Sequence, residues 1–335
     1  MSCHGPEMRN RGPEMTQPGP AVARTSHRAR TRAARRWLAG VAVLVASTVV
    51  AGASALPASA ATPSQTGYYV VGANGGVFGF GGAVLYGSPA ASGMTLGAPV
   101  AGIAETSTGK GYWLVGADGG VFTYGDAGYF GSVPAVTTKK LAAPIVGVAS
   151  TSDSKGYWLV GADGGVFGFG DAGYFGSLQA LHVTPAAPIV GIAPTPTGKG
   201  YWLVGADGGV FAFGDAAYFG NVPALLGAPA PSPIVGIAAT PDGGGYWIVQ
   251  NDGAVSRFGD AGFFGSTLTT GVVPSAPVVG IVATPDAKGY WLVGADGGVF
   301  TFGDAAYFGS VPAELATGGV TPTSPISVVG LAITP

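Results

Sequence analysis

The sequence predicts an all-β fold, a six-bladed β-propeller, from three observations. First, the stretch GYWLVGADGGVFTFGDAAYFGS at residues 289–310 recurs in near copies that begin at Gly67, Gly111, Gly156, Gly200 and Gly245. The spacing of 44 or 45 residues is typical of one supersecondary unit per copy. Second, neighbouring residues in each copy are large and apolar, so both faces of the strand need cover. Third, the chain begins and ends with incomplete units that complement each other.

Residues 1–60 differ in composition from the repeats. They carry eight arginines against Glu7 and Glu14, and a largely apolar run at 37–53 is followed by Ala58-Ser59-Ala60. A basic start, an apolar run and an A-x-A site are typical of a secretory signal peptide. We therefore expect cleavage after Ala60, a short linker at 61–66 and a propeller at 67–335. The alternative is a single transmembrane anchor, for which the apolar run is just long enough.

The expected mature chain is acidic. After residue 60 it has six lysines and Arg257 against fifteen acidic side chains, a formal net charge of −8. This balance argues against nucleic acid as a partner. The only cysteine, Cys3, lies in the expected signal peptide, so no disulfide is expected within the mature chain. We expect a secreted, extracellular protein, associated with the cell wall and not inserted in a membrane after cleavage. Arg35-Arg36 leaves the general and twin-arginine export routes both open.

Each copy predicts four short antiparallel strands. In the copy at Gly111, apolar and aromatic runs at 112–115 and 121–124 flank Asp118-Gly119, which favours a type I′ hairpin. A further strand is expected upstream at 99–104, and a fourth at 129–130. Tyr112 and Trp113 are neighbours and point to opposite faces, which a blade packed between two other blades would cover.

The two ends of the chain predict a closed ring. A strand resembling P-x-V-G-I-A occurs six times, at Pro99, Pro144, Pro188, Pro233, Pro277 and Pro325. The first hairpin lacks this preceding strand, and the last strand, at 325–335, lacks a hairpin. If the two join, the propeller closes and no long sheet edge is exposed. An open solenoid would instead need polar capping repeats at its ends. We therefore expect a closed, monomeric propeller.

The order of these elements resembles the NHL-type repeat of six-bladed β-propellers. It runs from Pro-Ile-Val-Gly-Ile-Ala through a polar turn to Gly-Tyr-Trp-Leu-Val-Gly-Ala-Asp and Gly-Val-Phe-Thr-Phe-Gly. The sequence motifs GYWLV, DGGVF and FGDA also resemble repeats of secreted and cell-wall proteins of high-GC Gram-positive bacteria. This resemblance covers residues 67–335 and implies the fold. It leaves function open, because propellers serve as lectins, hydrolases, lyases and scaffolds.

Two series of aspartates recur. The first series has Asn74 in the first copy and otherwise comprises Asp118, Asp163, Asp207, Asp252 and Asp296. Calcium ligation is one interpretation, but each turn carries one such residue, which favours a role in the Asp-Gly turn. The second series comprises Asp126, Asp171, Asp215, Asp260 and Asp304. We expect side-chain to backbone turn bonds from these, and neither a metal nor a cofactor.

The candidate ligand-binding residues are aromatic, with one exception. Aromatic faces stack on sugars, so the series Trp113, Trp158, Trp202, Trp247 and Trp291, with Tyr69 in the first copy, is a candidate site. The alternative is that these tryptophans form the core between blades. The exception is Arg257, the lone arginine after residue 36, in the divergent fifth copy. It marks either a ligand contact or drift in that copy.

The chain offers few catalytic groups. His182 is the only histidine after residue 60, and Glu105, Asp153, Asp242, Asp286 and Glu314 are scattered outside the two aspartate series. No catalytic residue is predicted. The sequence favours a non-enzymatic binding or interaction module for a cell-envelope polysaccharide or a protein partner. The alternative is a propeller hydrolase or lyase, such as a lactonase-like enzyme, with its site at the central channel.

Overall fold

A computed structural model of the protein describes residues 67–318 and 327–334, where the chain forms six antiparallel, three-stranded sheets. Each sheet is one blade with an inner, a middle and an outer strand. The inner strands are β3 (Val100–Glu105), β6 (Ile145–Ser150), β9 (Ile189–Pro194), β12 (Ile234–Ala239), β15 (Val278–Ala283) and β18 (Val328–Thr334). The expected signal peptide and linker lie outside the described residues.

The middle and outer strands form the hairpins that the repeats predict. The middle strands are β1 (Gly67–Gly72), β4 (Gly111–Gly116), β7 (Gly156–Gly161), β10 (Gly200–Gly205), β13 (Gly245–Gln250) and β16 (Gly289–Gly294). The outer strands are β2 (Val77–Gly81), β5 (Val121–Gly125), β8 (Val166–Gly170), β11 (Val210–Gly214), β14 (Val255–Gly259) and β17 (Val299–Gly303). We number the blades 1 to 6 in the order of these middle strands.

The ring closes through the last strand, as predicted. β18 pairs antiparallel with β1, placing Thr334 opposite Gly67 and Ala332 opposite Tyr69, and β1 pairs in turn with β2. The Ala73 N–H adds a bond to the Ser327 carbonyl at 2.8 Å. The six inner strands contact one another in cyclic order, and β18 contacts both β15 and β3. The fold is therefore a six-bladed β-propeller in which blade 1 combines both ends of the described chain.

The middle strands are buried on both faces. All six residues of β4 are buried, and its Tyr112 and Trp113 point to opposite neighbours. Tyr112 packs on Tyr69 of blade 1 at a ring-centroid distance of 4.9 Å, and Trp113 packs on Tyr157 of blade 3 at 5.7 Å. This confirms that both faces are covered by adjacent blades, and tilted aromatic contacts at such distances are favourable.

The hairpin turns differ from the predicted type I′. In blade 2, Gly119 takes a φ of +80° while Asp118 is not among the residues with positive φ. The Gly119 N–H bonds to the Gly116 carbonyl at 2.8 Å. The pattern is that of a turn followed by a glycine bulge, the next most common hairpin connection. The aspartate explains the difference, because its Oδ1 accepts the Gly120 N–H at 2.9 Å and holds the turn from its side chain.

The predicted fourth strand is wrong. Residues 126–132 form no strand and instead run from blade 2 towards blade 3. The Trp113 indole N–H bonds to the Gly128 carbonyl at 2.7 Å, and the Tyr157 hydroxyl of blade 3 bonds to the Gly131 carbonyl at 2.5 Å. Side chains thus occupy backbone groups that a fourth strand would need, so this linking segment joins two blades rather than extending one.

Short helices follow most of these linking segments. They are α1 (Val133–Val136), α2 (Val222–Leu226), α3 (Thr267–Thr270) and α4 (Val311–Gly318). Across 67–318 and 327–334, no helix has the length and apolar character needed to span a bilayer.

Removing the closing strand tests ring closure. We expect deletion of residues 324–335 to lower the melting temperature sharply, because β1 would lose its inner partner and the buried Val328, Leu331 and Ala332 would be absent. Thermal unfolding followed by circular dichroism measures the effect. Ser327→Ala is the control, since Ser327 is exposed. A truncated chain that melts like the intact protein would contradict closure by β18.

Candidate functional site

The five tryptophans predicted as ligand-binding residues lie in the interior. Each is at most 1 % exposed. Each indole N–H donates to a backbone carbonyl fifteen residues later, at 2.6–2.8 Å, on Gly128, Gly173, Ala217, Gly262 and Ala306. Tyr69 makes the equivalent bond from its hydroxyl to Val84 at 2.7 Å. Packing between blades, the alternative that the sequence left open, accounts for these side chains. Stacking on a ligand would require the blades to separate.

The first aspartate series caps the hairpin turns. One side-chain oxygen accepts the backbone N–H two residues later in every copy, at 2.9–3.0 Å, including that of Asn74 to Gly76. This is the Asx-type bond of a turn residue. Within the described parts of the chain, no group of three or more His, Cys, Asp or Glu side chains is placed to hold a metal ion.

The second aspartate series was predicted to bond to backbone groups in its turns. In four copies these carboxylates accept hydrogen bonds from threonine hydroxyls that follow the inner strands. The pairs are Thr106–Asp126 at 2.9 Å, Thr151–Asp171 at 3.1 Å, Thr195–Asp215 at 2.8 Å and Thr240–Asp260 at 3.4 Å. Each bond ties the end of an inner strand to the end of the outer strand in the same blade. This series is therefore part of the scaffold.

One candidate ligand space is a cavity at one end of the central channel. It has a volume of about 620 Å³ and is lined by all six inner strands or the turns that follow them. That size is typical of small-molecule pockets. Its wall is largely aliphatic, as the Val-Gly-Ile-Ala pattern indicates, and its polar lining residues include Thr106, Ser150, Thr195, Thr240 and Thr284.

Glu105 is the one acidic residue in the wall of this cavity. The residues in the same register of the other inner strands are uncharged, namely Ser150, Pro194, Ala239, Ala283 and Ile333. Both carboxyl oxygens are buried and have no hydrogen-bond partner among the described residues. Burial raises the pKa of Glu105 to about 8, so the group is mostly a neutral acid at pH 7.

Glu105 belongs to the one blade interface where tyrosine replaces tryptophan. It pairs with Tyr112, which packs on Tyr69, the residue in the tryptophan position of blade 1. Burial and then the charge of Glu105 raise the pKa of Tyr69. In the sequence, Glu105 is one of the acidic residues scattered outside the two aspartate series. The signal that could have singled it out is its place in the repeat, where other copies carry no charge.

A second candidate site is a series of exposed aromatic side chains on the linking segments. Tyr129, Tyr174, Tyr218 and Tyr307 are each 55–56 % exposed and Phe263 is 45 % exposed. We call these five residues the aromatic girdle. They occupy one equivalent position in blades 2 to 6, and Leu85 takes that position in blade 1. The residue after each is turned inward, as shown by the stacking of Phe130 on Tyr157 at 5.8 Å.

Three girdle rings are held in place by their hydroxyl groups. Tyr129 bonds to Ser132 at 3.1 Å, Tyr174 to Ser177 at 3.0 Å and Tyr307 to Ser310 at 3.2 Å. Fixed aromatic rings lose little conformational freedom when they bind a ligand. The sequence pattern predicted a fourth strand at Tyr129-Phe130 and its equivalents. It therefore did not indicate that the first residue of each pair is exposed.

Arg257, the remaining predicted ligand residue, lies on β14 and is exposed. Its Nη1 is 3.5 Å from the Ala261 carbonyl, two residues before Phe263 of the girdle. The structure thus separates the predicted set, with the tryptophans inside and Arg257 at the surface near an exposed ring.

The sequence matches no known protein family, and no curated protein is significantly similar to it.

The buried carboxyl makes stability depend on pH. Because the folded-state pKa of Glu105 is raised, the folded protein holds this proton more tightly than the unfolded chain does. Its contribution to stability is therefore present below about pH 4.5, the ordinary glutamate value, and is lost as the pH rises to about 8. We expect Glu105→Gln to remove this loss, so that the variant melts above the wild type at pH 8 and the difference shrinks towards pH 5.

Melting temperatures measured between pH 5 and pH 9 test this expectation. For a domain of this size, each kcal/mol of stability shifts the melting temperature by about 2–4 °C. Glu314→Gln is the matched control, because Glu314 is exposed. A difference between Glu105→Gln and wild type that does not vary with pH would show that the carboxyl ionises as freely in the folded protein as in the unfolded chain.

Proposed function

We propose that this protein is a secreted, non-enzymatic binding module that recognises a carbohydrate polymer of the cell envelope through the aromatic girdle. The observation that carries the proposal is the repetition of a half-exposed aromatic ring at one position in five of the six blades. Exposed aromatic rings combine an apolar face with a polar edge, and they are common where proteins bind amphipathic partners such as sugars.

Repetition compensates for weak individual sites. A single exposed ring offers little contact area, so each site is expected to bind a sugar unit only at roughly millimolar concentration. Several equivalent sites on one rigid scaffold raise the apparent affinity for a polymer by a factor of about 10² or more. The closed ring supplies that rigidity, because each girdle residue sits on a segment bonded to two blades, as shown by the bonds of Gly128 and Gly131.

The expected signal peptide and the sequence motifs of the repeats support an extracellular role. Residues 1–60 have the order of a signal peptide, and the repeats resemble those of secreted and cell-wall proteins of high-GC Gram-positive bacteria. Within propellers, the order of elements is similar to the NHL type. We propose that the mature protein acts as a monomer and needs no cofactor, and that a protein partner is the alternative ligand for the same surface.

Glu105 favours a second candidate function, a hydrolase or lyase with its site in the channel. A buried carboxyl with a raised pKa is a suitable general acid at neutral pH. Glycosidic or lactone hydrolysis needs a second group, however, either another carboxyl or a bound metal. The acidic residues that line the described cavity are limited to Glu105. The binding module is therefore the better-supported proposal.

Replacing the girdle tyrosines tests the leading proposal. We expect the variant with Tyr129, Tyr174, Tyr218 and Tyr307 all changed to Ala to lose retention on cell walls and isolated envelope polysaccharides by about tenfold or more. Each single change should cost only about two- to threefold, because the remaining sites preserve multivalency. Sedimentation with insoluble walls and a glycan array measure the loss, and circular dichroism checks folding.

A matched control changes the same number of exposed apolar residues in the linking regions. Val136, Leu181, Leu225 and Leu268 are 58–65 % exposed, one in each of blades 2 to 5, and lie outside the girdle. Their replacement by Ala should leave retention unchanged. Wall binding that survives the four tyrosine changes would overturn the girdle as the site, and capture of a protein with no glycan retained would favour the protein partner.

A further inference from the structure

We infer that blade 5 carries a binding subsite for an anionic sugar unit, formed by Arg257 and Phe263. The inference rests on the proposed function, because it names the ligand chemistry of one girdle position. The anion is a carboxylate or a phosphate, since a guanidinium recognises both through the same forked set of donors.

The position of Arg257 distinguishes blade 5 from the other five. It is the third residue of the outer strand, in register with the tryptophan or tyrosine of the middle strand. The equivalent residues are small and uncharged, namely Gly79, Thr123, Gly168, Ala212 and Thr301. Blade 5 therefore places a long cationic side chain where the other blades carry a small uncharged residue.

This position lies beside the girdle. In blade 1, a Cβ at Gly79 would be 3.3 Å from Cδ2 of Leu85, the residue in the girdle position, and 2.9 Å from the Ala83 carbonyl. In blade 5 the equivalent of that carbonyl belongs to Ala261, and Arg257 Nη1 approaches it at 3.5 Å. The repeat thus places the start of the Arg257 side chain next to the segment that presents Phe263, which is 45 % exposed.

The guanidinium is available to a ligand. The ion pairs among the described residues are Lys155–Asp153 and Lys288–Asp286, and neither involves Arg257. The nearby Asp260 accepts a hydrogen bond from Thr240 instead. The single bond of Arg257 to Ala261 is at the long limit and uses one of five N–H donors. An exposed arginine that forms no ion pair among the described residues is suited to an anion from outside the protein.

The companion ring sets the rest of the ligand class. Phe263 replaces the tyrosine of the other girdle positions, so this ring has no hydroxyl of its own and presents only an apolar face. A ring that contacts the face of a sugar, beside a guanidinium that binds an acidic substituent, matches a uronic acid or a phosphorylated sugar. A plain structural role is the competing explanation, because charged side chains on outer strands discourage edge-to-edge aggregation.

The test compares acidic and neutral probes on the intact protein. The acidic probes are tetragalacturonate for the carboxylate and glucose 1-phosphate for the phosphate, with tetragalactose and glucose as neutral counterparts. Titration followed by the NMR signal of the arginine Nε–H groups, assigned with Arg257→Thr, and by calorimetry measures binding. We expect each anionic probe that fits the site to bind about tenfold or more tightly than its neutral counterpart, with affinity that falls as salt increases.

Variants separate recognition from a structural role. Arg257→Thr, which installs the residue of blades 2 and 6, should remove the preference for the anion and leave neutral binding unchanged. Arg257→Lys should keep only part of the preference for the anionic probe, because lysine lacks the forked N–H donors of the guanidinium. Phe263→Ala should weaken the binding of both the acidic and the neutral probes. Thr123→Arg should create a second anionic subsite beside Tyr129 and raise the stoichiometry from one to two.

Equal binding of acidic and neutral probes, or an anion preference that survives Arg257→Thr, would overturn the subsite. Aggregation of Arg257→Thr with no change in preference would support edge protection instead. The outcomes for the two proposals are distinct. If neutral polysaccharide binds through the girdle tyrosines while no anion preference exists, this inference alone fails. If the anion binds at Arg257 while the tyrosine changes have no effect, the girdle proposal fails and the subsite stands.

Discussion

The contact that holds the propeller together is the aromatic lock between adjacent blades. The tyrosine of each middle strand inserts its ring against the tryptophan or tyrosine of the preceding blade, and its hydroxyl donates to a glycine carbonyl of the preceding linking segment. Tyr157 shows the full set, since it packs on Trp113, donates to Gly131 at 2.5 Å and accepts the Phe130 N–H at 3.2 Å. The same bond from Tyr68 to Gly309 joins blade 6 to blade 1, so the lock runs around the whole ring.

This lock determines which aromatic side chains are buried and which remain exposed at the surface. It consumes both rings of every middle strand and turns the second aromatic residue of each linking segment inward, as with Phe130. The first residue of that pair then has no place in the core and stays at the surface. The lock also has one irregular member, the interface where Tyr69 stands in for tryptophan and where the buried carboxyl of Glu105 has no hydrogen-bond partner within 67–318 and 327–334. The exposure of the girdle thus follows from how the repeat packs, whereas Glu105 is a departure from the repeat.

Much of the fold follows from the sequence because the repeat length, the hairpin pattern and the complementary ends are each visible in the residues. The choice between tryptophan as core and tryptophan as binding surface could not be made there, since a large aromatic residue suits both. The turn type was missed because the Asp118 side chain bonds to Gly120 and removes the need for two residues of positive φ. The fourth strand was missed because Trp113 and Tyr157 bond to its backbone, a long-range effect that no local pattern reports.

We propose that the aromatic lock keeps the tryptophans from contacting a ligand and leaves that contact to the girdle. Hydroxyl-radical footprinting, read by mass spectrometry with and without envelope polysaccharide, tests both halves at once. Tyr129, Tyr174, Tyr218 and Tyr307 should oxidise readily in the free protein and become protected when the polymer is added, while Trp113, Trp158, Trp202, Trp247 and Trp291 stay unmodified in both states. Tryptophans that oxidise in the free protein and are protected by the polymer, with the tyrosines unchanged, would show instead that the tryptophans contact the polymer.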